Sequence, residues 1–182
     1  VRSWVGEGRV YLIYGSATPH TMDLDAADAI YQGAGTYDYA GTALAGVGDV
    51  DRDGFGDFLI GASGVGGPID RYGAAYLIRG GDDLATMSLN QADAAFFGEY
   101  DWDMAGVAVS SAGDVDADGY SDVLIGASGL ATSGTPEGAA YLIRGGAILN
   151  SGTLADADAK FTGELTGDNA GQSVSSAGDV NH

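Results

Sequence analysis

The most chemically distinctive part of the sequence is a nine-residue acidic stretch that occurs twice, at Asp49–Asp57 and at Asp114–Asp122. Aspartate fills positions 1, 3, 5 and 9 of each stretch, and glycine fills position 6. The aspartates are Asp49, Asp51, Asp53 and Asp57 in the first copy, and Asp114, Asp116, Asp118 and Asp122 in the second. Because a curling backbone can point alternate side chains at one centre, the spacing predicts that these carboxylates bind a cation.

The remaining positions of the stretch fit the same interpretation. Glycine at position 6 supplies the positive φ of a sharp turn. The residue at position 7, Phe55 or Tyr120, can offer its backbone carbonyl, and the aspartate at position 9 closes the site as the next strand begins. Ligation by oxygen alone suits a hard cation, and the large number of ligands favours Ca²⁺ over Mg²⁺. We therefore predict two complete calcium sites.

Two other interpretations of the stretch were considered. Asp and Gly are ordinary turn residues, so a turn without metal is one alternative. However, four carboxylates within nine residues would repel one another without a cation, and the pattern occurs twice. An EF-hand is excluded because it needs an acid at position 12, where this chain has Ile60 and Ile125.

A third copy of the stretch begins at Asp179-Val180-Asn181-His182, where the sequence ends. It contains two candidate side-chain ligands, Asp179 and Asn181, which cannot close a site alone. We therefore predict a truncated third calcium site.

The acidic stretches belong to a repeat with a 65-residue step. Gly8-Arg9-Val10-Tyr11-Leu12-Ile13-Tyr14-Gly15 returns at Gly73–Gly80 and again at Gly138–Gly145. Other markers keep the same step, namely Asp28, Asp93 and Asp158; Gly33, Gly98 and Gly163; Gly41, Gly106 and Gly171; and Gly48, Gly113 and Gly178. Such regularity indicates a repeat architecture.

Each period contains four segments with the composition of strands. In the second period they are Gly106–Gly113, Asp122–Ala127, Gly138–Arg144 and Ala157–Thr162. Four strands in a period of this length are typical of a propeller blade. We predict an all-β fold made of β-propeller blades with four antiparallel strands, about 2.8 repeats in all. A β-solenoid has shorter rungs, and no segment keeps a helical apolar period, Asp82–Ala95 being the nearest.

Composition excludes several classes of function. The chain carries 26 acidic and 7 basic residues, a formal net charge of −19. Such a surface repels nucleic-acid phosphates and anionic lipid headgroups. The sequence has no cysteine for disulfides and no apolar run that approaches the ~20 residues of a membrane span. We expect neither nucleic-acid binding nor membrane insertion.

The chain resembles the FG-GAP repeats of the integrin-α β-propeller and its bacterial relatives. Phe97-Gly98 and Gly126-Ala127-Ser128 are similar to the two halves of the motif, as is Gly61-Ala62-Ser63 in the preceding repeat. Serine replaces the usual proline, and Gln32-Gly33 and Thr162-Gly163 replace the Phe-Gly pair in the other copies. The resemblance implies a seven-bladed ring with its calcium loops on the face opposite to the ligand-binding face.

The resemblance also divides the chain into blades. We expect residues 1–33 to form the last two strands of one blade, 34–98 and 99–163 to form two complete blades with calcium loops, and 164–182 to form the first strand and truncated loop of a further blade. A partial ring would expose blade faces and edge strands. We therefore expect self-association, or association with a protein partner, through the open blade faces.

Two functions were compared. The favoured one is a calcium-binding propeller module for extracellular adhesion, protein–protein interaction or structural assembly, in which calcium rigidifies the loops. The alternative is a non-catalytic fragment of a secreted enzyme such as a hydrolase. Against an enzyme, the chain has two histidines, His20 and His182, and no nucleophile-elbow motif. Because calcium is millimolar outside cells and far lower in the cytosol, we expect a secreted or cell-surface location.

Overall fold

The computed structural model describes residues 5–18, 21–129 and 137–178. Within these ranges the strands are β1 (Arg9–Leu12), β2 (Ala29–Gln32), β3 (Ala40–Gly48), β4 (Asp57–Ala62), β5 (Ala74–Ile78), β6 (Met87–Ser88), β7 (Ala94–Phe97), β8 (Ala105–Gly113), β9 (Asp122–Ala127), β10 (Ala139–Ile143), β11 (Gly152–Thr153) and β12 (Ala159–Thr162). A single-turn α-helix, α1, spans Gly67–Asp70, and 3-10 turns occur at Leu24–Ala26, Leu89–Gln91 and Leu154–Asp156. The fold is all-β, as predicted.

The strands form three sheets. The first has the order β1-β2-β6, the second β11-β7-β5-β4-β3 and the third β12-β10-β9-β8. All pairings among the long strands are antiparallel, whereas β6 on β2 and β11 on β7 are parallel. This arrangement of twisted antiparallel sheets is consistent with part of a β-propeller.

Composition explains which strands lie deepest. β5 (AAYLI) is buried at every position and β4 (DFLIGA) at every position except Phe58. Strands covered on both faces need apolar residues throughout rather than an alternating pattern. β3 instead alternates between partly buried and exposed residues over most of its length, with Leu44 56% exposed. β3 therefore borders solvent on one face.

The observed strands of the second repeat agree closely with the sequence prediction. The predicted Gly106–Gly113, Asp122–Ala127, Gly138–Arg144 and Ala157–Thr162 correspond to β8, β9, β10 and β12, with ends shifted by at most two residues. Equivalent strands start 65 residues apart, with β4 and β9 at Asp57 and Asp122. The stretch Asp82–Ala95 contains β6 and a 3-10 turn, and no α-helix.

Two apolar clusters join the sheets face to face. One packs the second sheet on the third and includes Leu59, Leu77, Ile125 and Tyr141. The other packs the first sheet on the second and includes Tyr31, Ile60 and Ile78. Each sheet thus buries its face against a neighbour, the usual source of stability in stacked repeats.

The sheets approach each other closely at the start of β5. Gly73 forms an isolated parallel bridge to Ala105 of the next sheet, and its φ is 74°. A Cβ at Gly73 would collide with the backbone nitrogen and oxygen of Ala105. A side chain at this position would therefore force the sheets apart, which gives the repeated glycine a physical reason.

No helix among the described residues has the length and apolar character needed to cross a bilayer.

Candidate metal centre

The first acidic loop connects β3 to β4, and its fold follows from its own side chains. The carboxylate of Asp49 accepts hydrogen bonds from the amides of Asp53, at 3.1 Å, and Gly54, at 2.9 Å. Asp51 also accepts from the amide of Asp53, at 3.2 Å. Gly54 has a φ of 95°, which confirms the sharp turn predicted at position 6. The loop therefore curls around its own carboxylates.

The second loop, between β8 and β9, repeats this geometry. Asp114 accepts from the amides of Asp118, at 3.1 Å, and Gly119, at 2.9 Å. The φ of Gly119 is 90°. Two loops 65 residues apart thus have the same internal hydrogen bonds, so the sequence pattern determines one local structure.

Each loop gathers three carboxylates around one point. In the first loop, oxygens of Asp49, Asp51 and Asp57 all lie within 4.8 Å of one another. In the second, the corresponding group is Asp114, Asp116 and Asp118. The two groups use different loop positions. The first contains the aspartate at position 9 and not Asp53 at position 5, whereas the second contains the aspartate at position 5 and not Asp122 at position 9. The first group is half-buried or buried, whereas the second is exposed.

The aspartates at position 9 are the most buried acids of the loops. Asp57 and Asp122 are 2% and 0% exposed. The two oxygens of Asp57 accept from the amides of Val50 and Gly80, both at 2.7 Å. Asp122 accepts in the same way from Val115, at 2.7 Å, and Gly145, at 2.8 Å. These carboxylates therefore anchor the loop to the neighbouring β-turn.

The pKa of Asp57 is raised. Burial is the largest cause and the nearby charges of Asp51 and Asp53 add to it, while the two amide hydrogen bonds oppose the rise. A cation at the group would reverse this balance by stabilising the ionised carboxylate.

Position 7 of each loop is occupied by an aromatic residue. The amide of Phe55 donates to Asp53 at 2.8 Å, and the amide of Tyr120 donates to Asp118 at 2.9 Å. The Phe55 side chain is 38% exposed, and the guanidinium of Arg52 lies 5.3 Å from the centroid of the Tyr120 ring. That the two carbonyls ligate a metal stays a prediction.

Two arginines that the sequence analysis did not single out contact the loops. Nε of Arg79 lies 3.1 Å from a carboxylate oxygen of Asp51, and Nη1 of Arg144 lies 3.1 Å from one of Asp116. Arg144 also pairs with Asp158 at 2.7 Å. Arg79 directly follows β5 and Arg144 directly follows β10, 65 residues apart, and this repetition was the available signal in the sequence. They offset part of the loop charge.

The truncated third site lies outside the described residues, which end at 178. Its candidate ligands, Asp179 and Asn181, therefore have no structural description here. The same holds for His20 and His182, the residues on which a histidine-dependent catalytic site would have to be built.

A second set of buried acids lies at the other end of the strands and was also missed. Asp38 and Asp103 are 7% and 0% exposed and accept hydrogen bonds from Gly35, at 2.6 Å, and Tyr100, at 2.8 Å. The pKa of Asp103 is raised to about 6, mainly by burial and also by the charge of Glu99. Hydrogen bonds from the amides of Tyr100 and Glu99, and the charge of Lys160, act in the opposite direction. These acids close turns, and neither belongs to a three-carboxylate group.

The donor set of the loops fits calcium. The donors are all carboxylate oxygens, they converge within 4.8 Å, and they accept hydrogen bonds from backbone amides. Hard oxygen ligands in this number suit Ca²⁺ better than Mg²⁺, which demands a small octahedral site, or zinc, which prefers nitrogen and sulfur ligands. The residues present can therefore hold a calcium ion in each loop.

Comparison with known proteins gives a consistent result. The family model described as the FG-GAP repeat matches residues 105–143, from β8 through the second loop to β10. Human integrin alpha-IIb is 32% identical over 122 residues, which is 67% of this chain and 11% of the relative. Integrin alpha-4 of Xenopus laevis is 34% identical over 125 residues, 66% of this chain and 11% of the relative.

A third relative, integrin alpha-5 of Xenopus laevis, is 30% identical over 131 residues, or 69% of this chain and 12% of the relative. The chain therefore spans little more than a tenth of the length of these relatives. The likeness therefore leaves most of the length of each relative unmatched.

Proposed function

Since the chain carries an FG-GAP repeat and is similar to integrin alpha chains over two-thirds of its length, we propose that it is a calcium-binding β-propeller module for extracellular adhesion, protein–protein interaction or assembly. The observation that carries the proposal is the convergence of Asp49, Asp51 and Asp57, and of Asp114, Asp116 and Asp118. The proposed ligands are completed by Asp53, Phe55, Tyr120 and Asp122, and by Asp179 and Asn181 in the truncated copy.

In this proposal residues 34–98 and 99–163 are complete blades, flanked by parts of blades at 1–33 and 164–182. The sheet orders support it, because β3, β4, β5 and β7 make one four-stranded unit and β8, β9, β10 and β12 make another. The outermost strand of each unit would face away from the propeller axis.

Calcium would act as a structural ion. Each loop carries four aspartates, and one ion returns two positive charges to them. An ion that binds only the folded state stabilises it by about 2.7 kcal/mol when its free concentration is 100 times its Kd. Extracellular modules commonly bind calcium at ~10⁻⁴–10⁻³ M. A location outside the cell, secreted or on the cell surface, would keep such sites filled.

A protein partner, or a second copy of this chain, would contact the open edges of the blades. The last sheet ends at β12, whose residues are mostly exposed, with Phe161 57% exposed. β2 and β7 are each covered by a parallel two-residue strand, whereas no such strand covers β12 among the described residues. This edge is therefore the part of the structure most open to pairing.

Thermal unfolding with calcium and with a chelator tests the proposal. For a chain of this size, each kcal/mol shifts Tm by roughly 2–4 °C. We expect millimolar calcium to raise the Tm by about 5 °C or more, and millimolar magnesium to raise it much less. The paired variant Asp51→Asn and Asp116→Asn should lose this response. A Tm equal in calcium and in chelator would refute a structural calcium role.

A further inference from the structure

A cleft lies at the ends of the strands opposite to the acidic loops. Its volume is about 280 Å³, and its lining residues are Tyr37, Tyr39, Gly67, Pro68, Arg71 and Trp102. The acidic loop joins the end of β3 to the start of β4 at Asp57. The segment with α1 and Arg71 follows the opposite end of β4. Tyr37 and Tyr39 precede the start of β3, and Trp102 precedes the start of β8. The cleft is therefore separate from the candidate calcium sites.

Four of the side chains that line the cleft extend from left-handed backbone. The φ angles are 71° at Tyr37, 53° at Tyr39, 40° at Arg71 and 69° at Trp102. Positive φ is uncommon for residues other than glycine, asparagine and aspartate, and for bulky side chains it marks a constrained position. Such positions concentrate at binding sites, where the surrounding structure maintains them.

The third repeat provides an internal control. Tyr37 and Trp102 correspond to Gly167, and Tyr39 corresponds to Asn169, each after steps of 65 residues. Gly167 and Asn169 also have positive φ, at 86° and 51°. The turn thus requires left-handed backbone and is made equally well by the residues that adopt it most easily. Aromatic residues there cost about 1 kcal/mol each in backbone strain, so the turn itself does not require them.

Trp102 and Tyr39 bury only part of their side chains. Trp102 is 49% exposed and Tyr39 is 40% exposed. The backbone around them is nevertheless fixed, since the amide of Trp102 donates to the carbonyl of Asp70 at 2.6 Å and the amide of Tyr39 donates to that of Gly6 at 2.8 Å. Each of the two aromatic side chains therefore has a fixed backbone and is partly open to solvent.

Arg71 adds a positive charge to the cleft. Its guanidinium lies 5.5 Å from the centroid of the Tyr39 ring. Among the described residues it has neither an ion pair nor a side-chain hydrogen bond, although the chain has 26 acidic residues. Arg79 and Arg144, by contrast, pair with aspartates. Arg71 is therefore available to an anion, which it can bind through two parallel hydrogen bonds.

We propose that this cleft binds an acidic sugar, a hexuronate unit at the end of an oligosaccharide. The carboxylate pairs with Arg71, which lies over the Tyr39 ring, and the C–H face of the sugar ring stacks on Trp102. The volume lies at the lower limit of small-molecule sites, which suits one terminal sugar unit. A peptide is a poorer match, because the lining residues come from loops and α1 and present no strand edge to extend. The proposal does not depend on calcium binding.

Fluorescence titration tests the proposal. The chain has two tryptophans, so a Trp4→Phe background makes the signal report on Trp102 alone. The probes are a galacturonate trisaccharide, the matching neutral galactose trisaccharide and an aspartate-rich peptide of the same charge, all at fixed calcium. Arg71→Gln is titrated in parallel. Trp102→Gly and Tyr39→Asn copy the third repeat and are followed by calorimetry, with Tyr100→Asn as the control for an exposed aromatic outside the cleft.

We expect saturable binding of the galacturonate probe, with little binding of the neutral sugar. Arg71→Gln should weaken binding at least about tenfold. Trp102→Gly and Tyr39→Asn should do the same while the chain stays folded, because the third repeat forms the same turn with glycine and asparagine at these positions. Tyr100→Asn should bind normally. No binding of galacturonate, equal binding of the neutral sugar, binding of the peptide alone, or full binding by Arg71→Gln would each overturn the proposal.

Discussion

The backbone amide of Ser121 donates a hydrogen bond to the backbone carbonyl of Asp49 over 3.1 Å. The end of the second acidic loop thus rests on the start of the first. Arg52 of the first loop reinforces this contact by lying over the Tyr120 ring of the second. The two candidate calcium sites are therefore parts of one connected surface, and the covering explains why the first carboxylate group is less exposed than the second.

The contact predicts coupling between the two sites. Calcium bound at the first loop would fix the Asp49 carbonyl that accepts from Ser121, so Asp51→Asn should lower the calcium affinity of the second loop as well. We expect a decrease of about fivefold, the lower range of coupling energies. Titration calorimetry of Asp51→Asn, Asp116→Asn and the wild type measures this. Unchanged affinity at the second loop in Asp51→Asn would show that the sites are independent.

The arginine beside the second loop should compete with calcium. Arg144 pairs with Asp116, so calcium must share or displace that carboxylate. Arg144→Gln removes the competing cation and should raise the affinity of the second site about two- to fivefold, as expected for an exposed ion pair. The first site serves as the internal reference. A weaker second site in this variant would mean that Arg144 positions the ligand instead.

Glycine at position 6 should be required for the loop. Gly54 has a φ of 95° and open space around its Cβ position, so Gly54→Ala adds strain without a collision. We expect a loss of about 1 kcal/mol in the free energy of unfolding with calcium bound. Gly56→Ala is the matched control, since Gly56 has equal space and no positive φ. Urea unfolding compares the two. An equal effect of both substitutions would contradict the turn assignment.

Asp103 should make stability depend on pH. Burial raises its pKa to about 6 in the folded chain, above the value of roughly 3.9 expected when unfolded. The folded state therefore holds the proton more tightly, and this stabilisation is present below pH 4 and lost as the pH rises through about 6. The change amounts to at most about 3 kcal/mol.

Urea unfolding in a chelator between pH 4 and 7.5 measures that dependence. Asp103→Asn should flatten the profile in this range, whereas Asp101→Asn, an exposed neighbour, should leave it unchanged. A fall in stability with rising pH that has the same size in all three chains would exclude Asp103 as its source.

Much of the fold could be predicted because the 65-residue step allows equivalent positions of the repeats to be compared with one another. Strands β8, β9, β10 and β12 were located within two residues, and the positive φ of Gly54 and Gly119 was anticipated from the turn alone. Both are local properties. The acidic loops were found for the same reason, since their ligands lie within nine residues.

The features that the sequence did not reveal are formed between distant segments. Arg79 reaches Asp51 only because β5 lies beside β4, and the turn of Asp103 is joined to the end of β9 by the amide of Gly129. The aromatic cleft forms only where three chain segments meet, those that contain Tyr37, Arg71 and Trp102. Residue type and spacing carry no signal for such contacts until the pairing of the sheets is known.

Native mass spectrometry of the purified chain tests the central claim most directly. We predict that the wild type retains two calcium ions, that Asp51→Asn and Asp116→Asn each lose at least one, and that chelation broadens the charge-state distribution as compactness falls. The same spectrum reports any pairing of chains. A wild-type chain that retains no calcium, with a charge-state distribution unchanged by chelation, would contradict the account and leave the acidic loops as turns without a metal.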